Sequence, residues 1–264
     1  MKKPIYTFLS IFLISSLIVS CDSSTESEDD DDDHVHTHVN LTFDAMFGSS
    51  ELQLGTKYVT GAGDTVSFST LKFYISEIAL VDSFGTDHAA DGIFMVDFSQ
   101  SGTNGKVTVE LEGKPGIYRG VKFSVGIPYS ENHKDASTQT SPLGTASGMY
   151  WSWNPGYIFH KIEGTVDSVG KSISISYHVG EDTRKLPVSL ASFTGTKTTF
   201  VVEAGKTSTF DVLVDYSKLF NAGINPANKL SPKMNTTERI HHVGPANLAD
   251  RIFLNSKSLF SRKL

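Results

Sequence analysis

From His34 to the C-terminus the chain keeps returning to one pattern: short runs in which apolar and polar residues alternate, closed by glycine or proline. A period of two sends successive side chains to opposite faces of an extended strand, so these runs build sheets and not amphipathic helices. In "HVHTHVNLTFDA", Val35, Val39, Leu41 and Phe43 face one way and His34, His36, His38 and Asn40 the other. "STLKFYISEIALVDSFG" is a second long strand ending at a glycine turn. "KVTVELEGKPGIYRGVKFSVGIP" reads as two strands broken at Lys114-Pro115-Gly116. Further strands are predicted over Gly156–Ser168, Lys171–Val179, Lys185–Phe193, Thr196–Glu203 and Thr207–Asp215. Only the end reads as helical. "YSKLFNAG" stops at Gly223, and "PANLADRIFLNSKSLF" carries Leu248, Ile252, Phe253 and Leu259 behind Pro245. Many short strands with Gly/Pro turns predict an all-β, single-domain antiparallel β-sandwich over 34–264, with short C-terminal helical segments.

The first 33 residues read differently. Lys2 and Lys3, an apolar run from Ile5 to Val19 and the sequence Ile18-Val19-Ser20-Cys21 describe a secretory signal over 1–20. A cysteine directly after the cut is the lipid acceptor of bacterial lipoproteins, and an apolar run of about 15 residues falls short of the roughly 20 that span a bilayer. Cys21 is the only cysteine, so once it is acylated no disulfide and no Cys-based zinc or redox site remains. The expected location is the cell envelope, lipid-anchored in the outer membrane, on its periplasmic side or at the cell surface. Asp22 to Asp33 then hold eight acids and no base, a segment unable to bury enough surface to fold. It reads as a self-repelling tether, as a sorting signal resembling those of Bacteroidetes surface lipoproteins, or as a sponge for calcium or copper. The formal net charge is −6, from 23 basic and 29 acidic residues. Setting aside the two lysines of the signal and the eight acids of the tether leaves 21 of each, so the folded part is neutral and has no electrostatic footprint for nucleic acid.

Three groups of residues are candidates for chemistry. His34, His36 and His38 share a strand face at a spacing of about 6.5–7 Å, so two of them can grip one metal, or they simply form a polar edge. His178, in "SYHVGED", shares its face with Ser172, Ser174 and Ser176, and points either at a cleft or into solvent. The stretch "GMYWSWNPGYIFHKIEG", Gly148 to Gly164, holds both tryptophans of the chain, Trp151 and Trp153. Alternation groups its His160 with Ile158, Ile162 and Val166, which predicts a hydrogen-bonded core histidine. The tryptophans, two apart, project to one side as core or as a stacking platform. His241-His242 adds a potential ligand pair. No G-x-S-x-G, Walker loop, H-E-x-x-H or CxxC is present, and no carboxylate spacing marks an acid–base pair, so an enzyme is not expected.

"GMYWSWNPGYIFHKIEGT" closely resembles the M-x-W-x-W-x-x-G-Y-x-F-x-K-x-E-G signature of the MbnP-like family of periplasmic or lipid-anchored proteins. "LKFYISEIALVDSFG", "PGIYRGVKFSVGIP", "SYHVG" and "DYSKLFNAG" match further family segments in order, from about His34 to about Phe260. The resemblance implies copper bound through histidines, in some members with a tryptophan oxidised to kynurenine by a di-haem, cytochrome c peroxidase-like partner. It makes Trp151 and Trp153 the residues for oxidation and His178 the leading ligand. His34, His36 and His38 would complete the site if the first strand lies beside that of His178. In some relatives a histidine stands two places after the modified tryptophan; here those places hold Trp153 and Pro155. The implied function is a lipid-anchored copper-binding protein of copper acquisition or handling, working with the peroxidase and an outer-membrane importer. The alternative is a surface lipoprotein that binds glycan or protein through a Trp/Tyr ridge.

Overall fold

The alternating runs pair into two sheets. One takes β1 (His38–Phe47), β2 (Ser50–Glu51), β7 (Lys106–Glu112), β13 (Thr207–Asp215) and β15 (Phe260–Arg262). The other takes β3 (Tyr58–Val59), β4 (Thr65–Asp82), β5 (Asp87–Ala90), β6 (Phe94–Asp97), β8 (Gly116–Val125), β9 (Ile158–Ser168), β10 (Lys171–Gly180), β11 (Leu186–Ser189), β12 (Phe200–Val202) and β14 (Ile240–His241). Among the described residues, three short α-helices accompany the sheets: α1 (Tyr129–Asn132), α2 (Ser217–Phe220) and α3 (Ala246–Ser256). This computed structural model describes residues 36–151, 156–193, 199–221, 226–242 and 246–264. The expected signal over 1–20, Cys21, the acidic run and His34 lie outside them, as does Trp153. Val35–Leu264 forms one compact unit. Among the described residues no helix is long and apolar enough to cross a membrane.

The all-β sandwich is as expected, but its sheets are mixed. β1 runs antiparallel to β7 on one side and parallel to β13 on the other, Leu41 lying beside Phe210 and Phe43 beside Val212. β14 is likewise parallel to β10. Parallel neighbours need a crossover connection, and between β1 and β13 the second sheet, except for β14, supplies it. Alternation within a strand is the same in either orientation, so the pattern carries no sign of it. The predicted strand at 185–193 ends at Ser189, and that at 196–203 is seen as the shorter β12, with 194–198 outside the described residues.

The 18-residue β4 organises the second sheet. It pairs with β9 from Val66 to Phe73 and with β8 from Ile75 to Asp82. The ladder breaks between Ser76 and Ala79, where Glu77 takes a φ of 51°. Between the sheets, four phenylalanines meet edge to face. Phe43 of β1 packs on Phe73 of β4 at 5.6 Å between centroids and on Phe123 of β8 at 5.7 Å. Phe260 of β15 touches the same two rings at 5.6 Å each. Such aromatic pairs contribute about 0.5–1.5 kcal/mol each beyond their area burial. On the opposite face of β4 and β9 lies a second apolar cluster, in which Tyr74 and Phe159 pack with Ile127, Met149, Trp151 and Tyr157 of the β8–β9 connection.

Replacing Phe73 by alanine opens the centre of the quartet and is expected to cost about 3–5 kcal/mol. Phe84, 92% exposed at the β4–β5 turn, is expected to tolerate alanine within about 0.5 kcal/mol. Urea unfolding of the two variants against the parent chain measures both.

Candidate functional site

The outer face of the β9–β10 hairpin collects the polar groups. Ile175, Tyr177 and Val179 of β10 turn inward and are buried, which sends Ser176 and His178 outward. The two-residue turn Val169-Gly170, both residues at positive φ, fixes the register. That register sets Lys161 opposite His178 and Glu163 opposite Ser176. On the other edge of β10, β14 runs parallel with His241 beside Tyr177. The next step along both strands brings His242 beside His178. Neighbouring strands lie about 4.8 Å apart, and the two imidazoles stack with centroids 4.3 Å apart and planes 18° from parallel.

Their ring nitrogens converge. His178 Nε2 lies 2.7 Å from Glu163 Oε1 and 3.2 Å from Ser176 Oγ. His242 Nε2 lies 2.8 Å from the same Ser176 Oγ. Burial holds the His178 imidazole below its ordinary pKa; the hydrogen bond to Glu163 opposes this, and the nearby His242 and Lys161 reinforce it. His178 is therefore neutral at neutral pH, and its Nε2–H donates to the carboxylate. Burial raises Glu163, but the hydrogen bond from His178 and the Lys161 ammonium outweigh it and leave that carboxyl below the usual range. Lys161 Nζ also donates to the Gly148 carbonyl at 3.4 Å, tying the aromatic stretch to this face.

Neutral imidazole is the donor that suits copper, zinc and nickel. For Nε2 of His178 to serve, its proton has to move to Nδ1 and its hydrogen bond to Glu163 has to be given up. To serve one copper ion as a pair of nitrogen ligands, the two stacked, near-parallel rings whose Nε2 atoms reach one hydroxyl would also have to turn so that both lone pairs meet. Among the described residues, no group of three or more His, Cys, Asp or Glu side chains is already placed to hold a metal ion.

Of the expected ligands, His178 joins His242 and not the N-terminal histidines. Val39 and Leu41 point into the core, so His38 lies on the outer face of the first sheet, while His178 lies on the outer face of the second. His38 Nδ1 is instead 3.5 Å from Glu110 Oε1, and its ring is 6.1 Å from that of His36. The His241-His242 pair is split by the strand: His241 is buried, while His242 is exposed beside His178. Glu163 escaped the sequence reading and Ser176 entered it only as a neighbour on the face of His178, although the hairpin register set by Val169-Gly170 points to both.

The described residues of the aromatic stretch build the second core. Trp151 is 5% exposed, and Tyr157 is fully buried. The Tyr157 hydroxyl donates to the Leu143 carbonyl at 2.7 Å, and its backbone N–H donates to Asn132 Oδ1 at 2.8 Å. A Cβ on Gly180, the glycine of Y-H-x-G, would lie 2.7 Å from Trp151 Cζ3 and Cη2 and would collide with the Tyr157 carbonyl. Two separate motifs are thus one contact. His160 is the core histidine the alternation predicts. It is 3% exposed, with Nε2 3.3 Å from Tyr216 Oη and its ring edge-on to Phe73 at 5.5 Å.

A family model described as MbnP matches residues 36–239. Among solved structures, MbnP from Methylosinus trichosporium is similar at 19% identity, covering 69% of this chain and 77% of that one with a TM-score of 0.48. No curated protein matches.

Two outcomes follow from this packing. Gly180→Ala forces Trp151 and the Tyr157 carbonyl apart and is expected to destabilise by about 1–3 kcal/mol in urea unfolding. Burial drops the pKa of His160 from 6.5 to about 3. The unfolded chain then binds a proton that the folded one refuses, so the His160 contribution is complete above pH 6.5 and is lost as pH falls toward 3. Unfolding free energies measured across that window should slope less in His160→Leu than in the parent chain.

Proposed function

This chain belongs to the MbnP family, and on that footing we propose that it is a copper-binding protein of the cell envelope whose ligands are His178 and His242. The observation that carries this reading is the convergence of the two Nε2 atoms on Ser176 Oγ, at 3.2 and 2.8 Å. Glu163 Oε1, 2.7 Å from His178 Nε2, is the carboxylate that gives up this hydrogen bond and neutralises part of the bound charge. When bound, copper would supply a redox-active cation. The residues hold it, set the protonation state of the imidazoles and keep Lys161 salt-bridged to Glu163 at 3.5 Å. The protein then acts as a carrier or as the substrate of a partner, and not as an enzyme, anchored through acylated Cys21. The tryptophan that a di-haem peroxidase would oxidise is Trp151 or Trp153. For Trp151 the oxidising equivalent has to reach a buried indole, and the rings of Tyr157 and Tyr150, 5.1 Å apart, stand in the same cluster.

Copper titration of the full-length protein against a competing chelator tests the ligand assignment. His178→Ala and His242→Ala should each weaken binding at least about tenfold, and the double variant His36→Ala/His38→Ala should bind like the parent. Wild-type affinity in both single variants removes the assignment, and equal affinity for zinc removes the preference for copper. Intact mass of the protein from its host reads the tryptophan oxidation separately.

A further inference from the structure

A seam runs between the edges of the two sheets. β6 lies alongside β7 and closes it at one end. Past β6 the strands separate, and β5 faces the last residues of β7 across a cleft of about 650 Å3. Among the described residues β5 pairs only with β4, and β7 only with β1. Two strand edges, each with a row of backbone N–H and C=O groups directed away from its own partner, therefore border one opening. Such an edge is a template for an added strand.

The chemistry of the walls narrows the occupant. The floor is apolar, built from Leu80, Leu111 and Tyr118, all buried, with Phe94 at its end. The rim carries the carboxylates of Asp91, Glu110 and Glu112, all exposed, against the single ammonium of Lys114. His88, the other basic group of the cleft, has its Nε2 engaged 3.0 Å from Asp82 Oδ2. We propose that this cleft docks an extended, basic segment of a partner protein, added as a strand between β5 and β7. Alternate apolar side chains of that segment rest on Leu80 and Leu111, and alternate lysines or arginines meet Glu110, Glu112 and Asp91. The chain's own run Asp22–Asp33 has the wrong charge for this place.

The test uses the full-length protein in non-ionic detergent and a fluorescein-labelled heptapeptide, Lys-Val-Lys-Val-Lys-Val-Lys, read by anisotropy. Saturable binding is expected, with none for the Glu-Val counterpart. The double variant Glu110→Gln/Glu112→Gln, altered only at exposed positions, should raise Kd about tenfold. Methylating alternate backbone amides of the peptide should raise it by a similar factor, because an added strand needs those donors. His178→Ala should leave binding unchanged, which separates this cleft from the copper reading. The proposal is overturned by any of four results. These are absence of saturable binding, wild-type binding in the double Gln variant, undiminished binding of the methylated peptide, or self-association of the protein that the peptide does not displace. In each case the rim carboxylates only keep a solvated edge from pairing.

Discussion

Two consecutive residues of β4, Phe73 and Tyr74, are both fully buried, and the rest of the molecule is arranged to make that possible. A strand of an ordinary sandwich buries one face. Here Phe73 joins the edge-to-face phenylalanines that hold the two sheets together, while Tyr74 points the opposite way and has to be covered by something other than a sheet. The β8–β9 connection does this, laying Met149, Trp151 and Tyr157 over it and accepting the Tyr74 hydroxyl at the Pro142 carbonyl, 2.8 Å away. Burial pushes the phenols of Tyr74 and Tyr157 up to about 12, so both remain protonated donors throughout the physiological range.

The same arrangement decides where chemistry can occur. The aromatic cover stops where Lys161 reaches the Gly148 carbonyl. Beyond that contact the outer face of β9 and β10 is polar and partly open, and His178, 12% exposed at its side chain, sits at the border. Position at the border sets its protonation: enough burial to keep the imidazole neutral, with a carboxylate close enough to fix the proton on Nε2. His242 arrives from a segment 64 positions further along the chain, delivered by a two-residue strand that pairs in parallel with β10. The stacking of His242 on His178 depends on the C-terminal segment staying on that edge. The Tyr177 hydroxyl, donating to the Glu238 carbonyl at 2.7 Å, and the Arg251–Glu238 pair at 2.8 Å hold it there.

Much of this was legible in the residues. Strand alternation marked β1, β4, β9, β10 and β13 closely, because a period of two is a local property of side chains on a pleated backbone. The core role of His160 followed from the same rule. The face of His178 was readable too, but not its company. His36 and His38 were to join it only if β1 lay beside β10; the two strands are in different sheets, and alternation says which way a side chain points within its sheet and nothing about which sheet that is. The choice between core and platform for the tryptophans stayed open for a related reason, and Trp151 packs as core.

By itself, the sequence determined the all-β class, the inward and outward faces of each long strand, and the neutrality of the part from His34 onward beside the acidic run Asp22–Asp33. These are set by neighbours along the chain and need no knowledge of what packs against them. Only the tertiary structure decided that β1 and β13 run parallel, that Gly180 exists to admit Trp151, and that His178 stacks on His242 instead of meeting the N-terminal histidines. Each of these depends on which distant segments become neighbours. That choice was made by burying both faces of β4 at once, a condition no single stretch of the chain expresses.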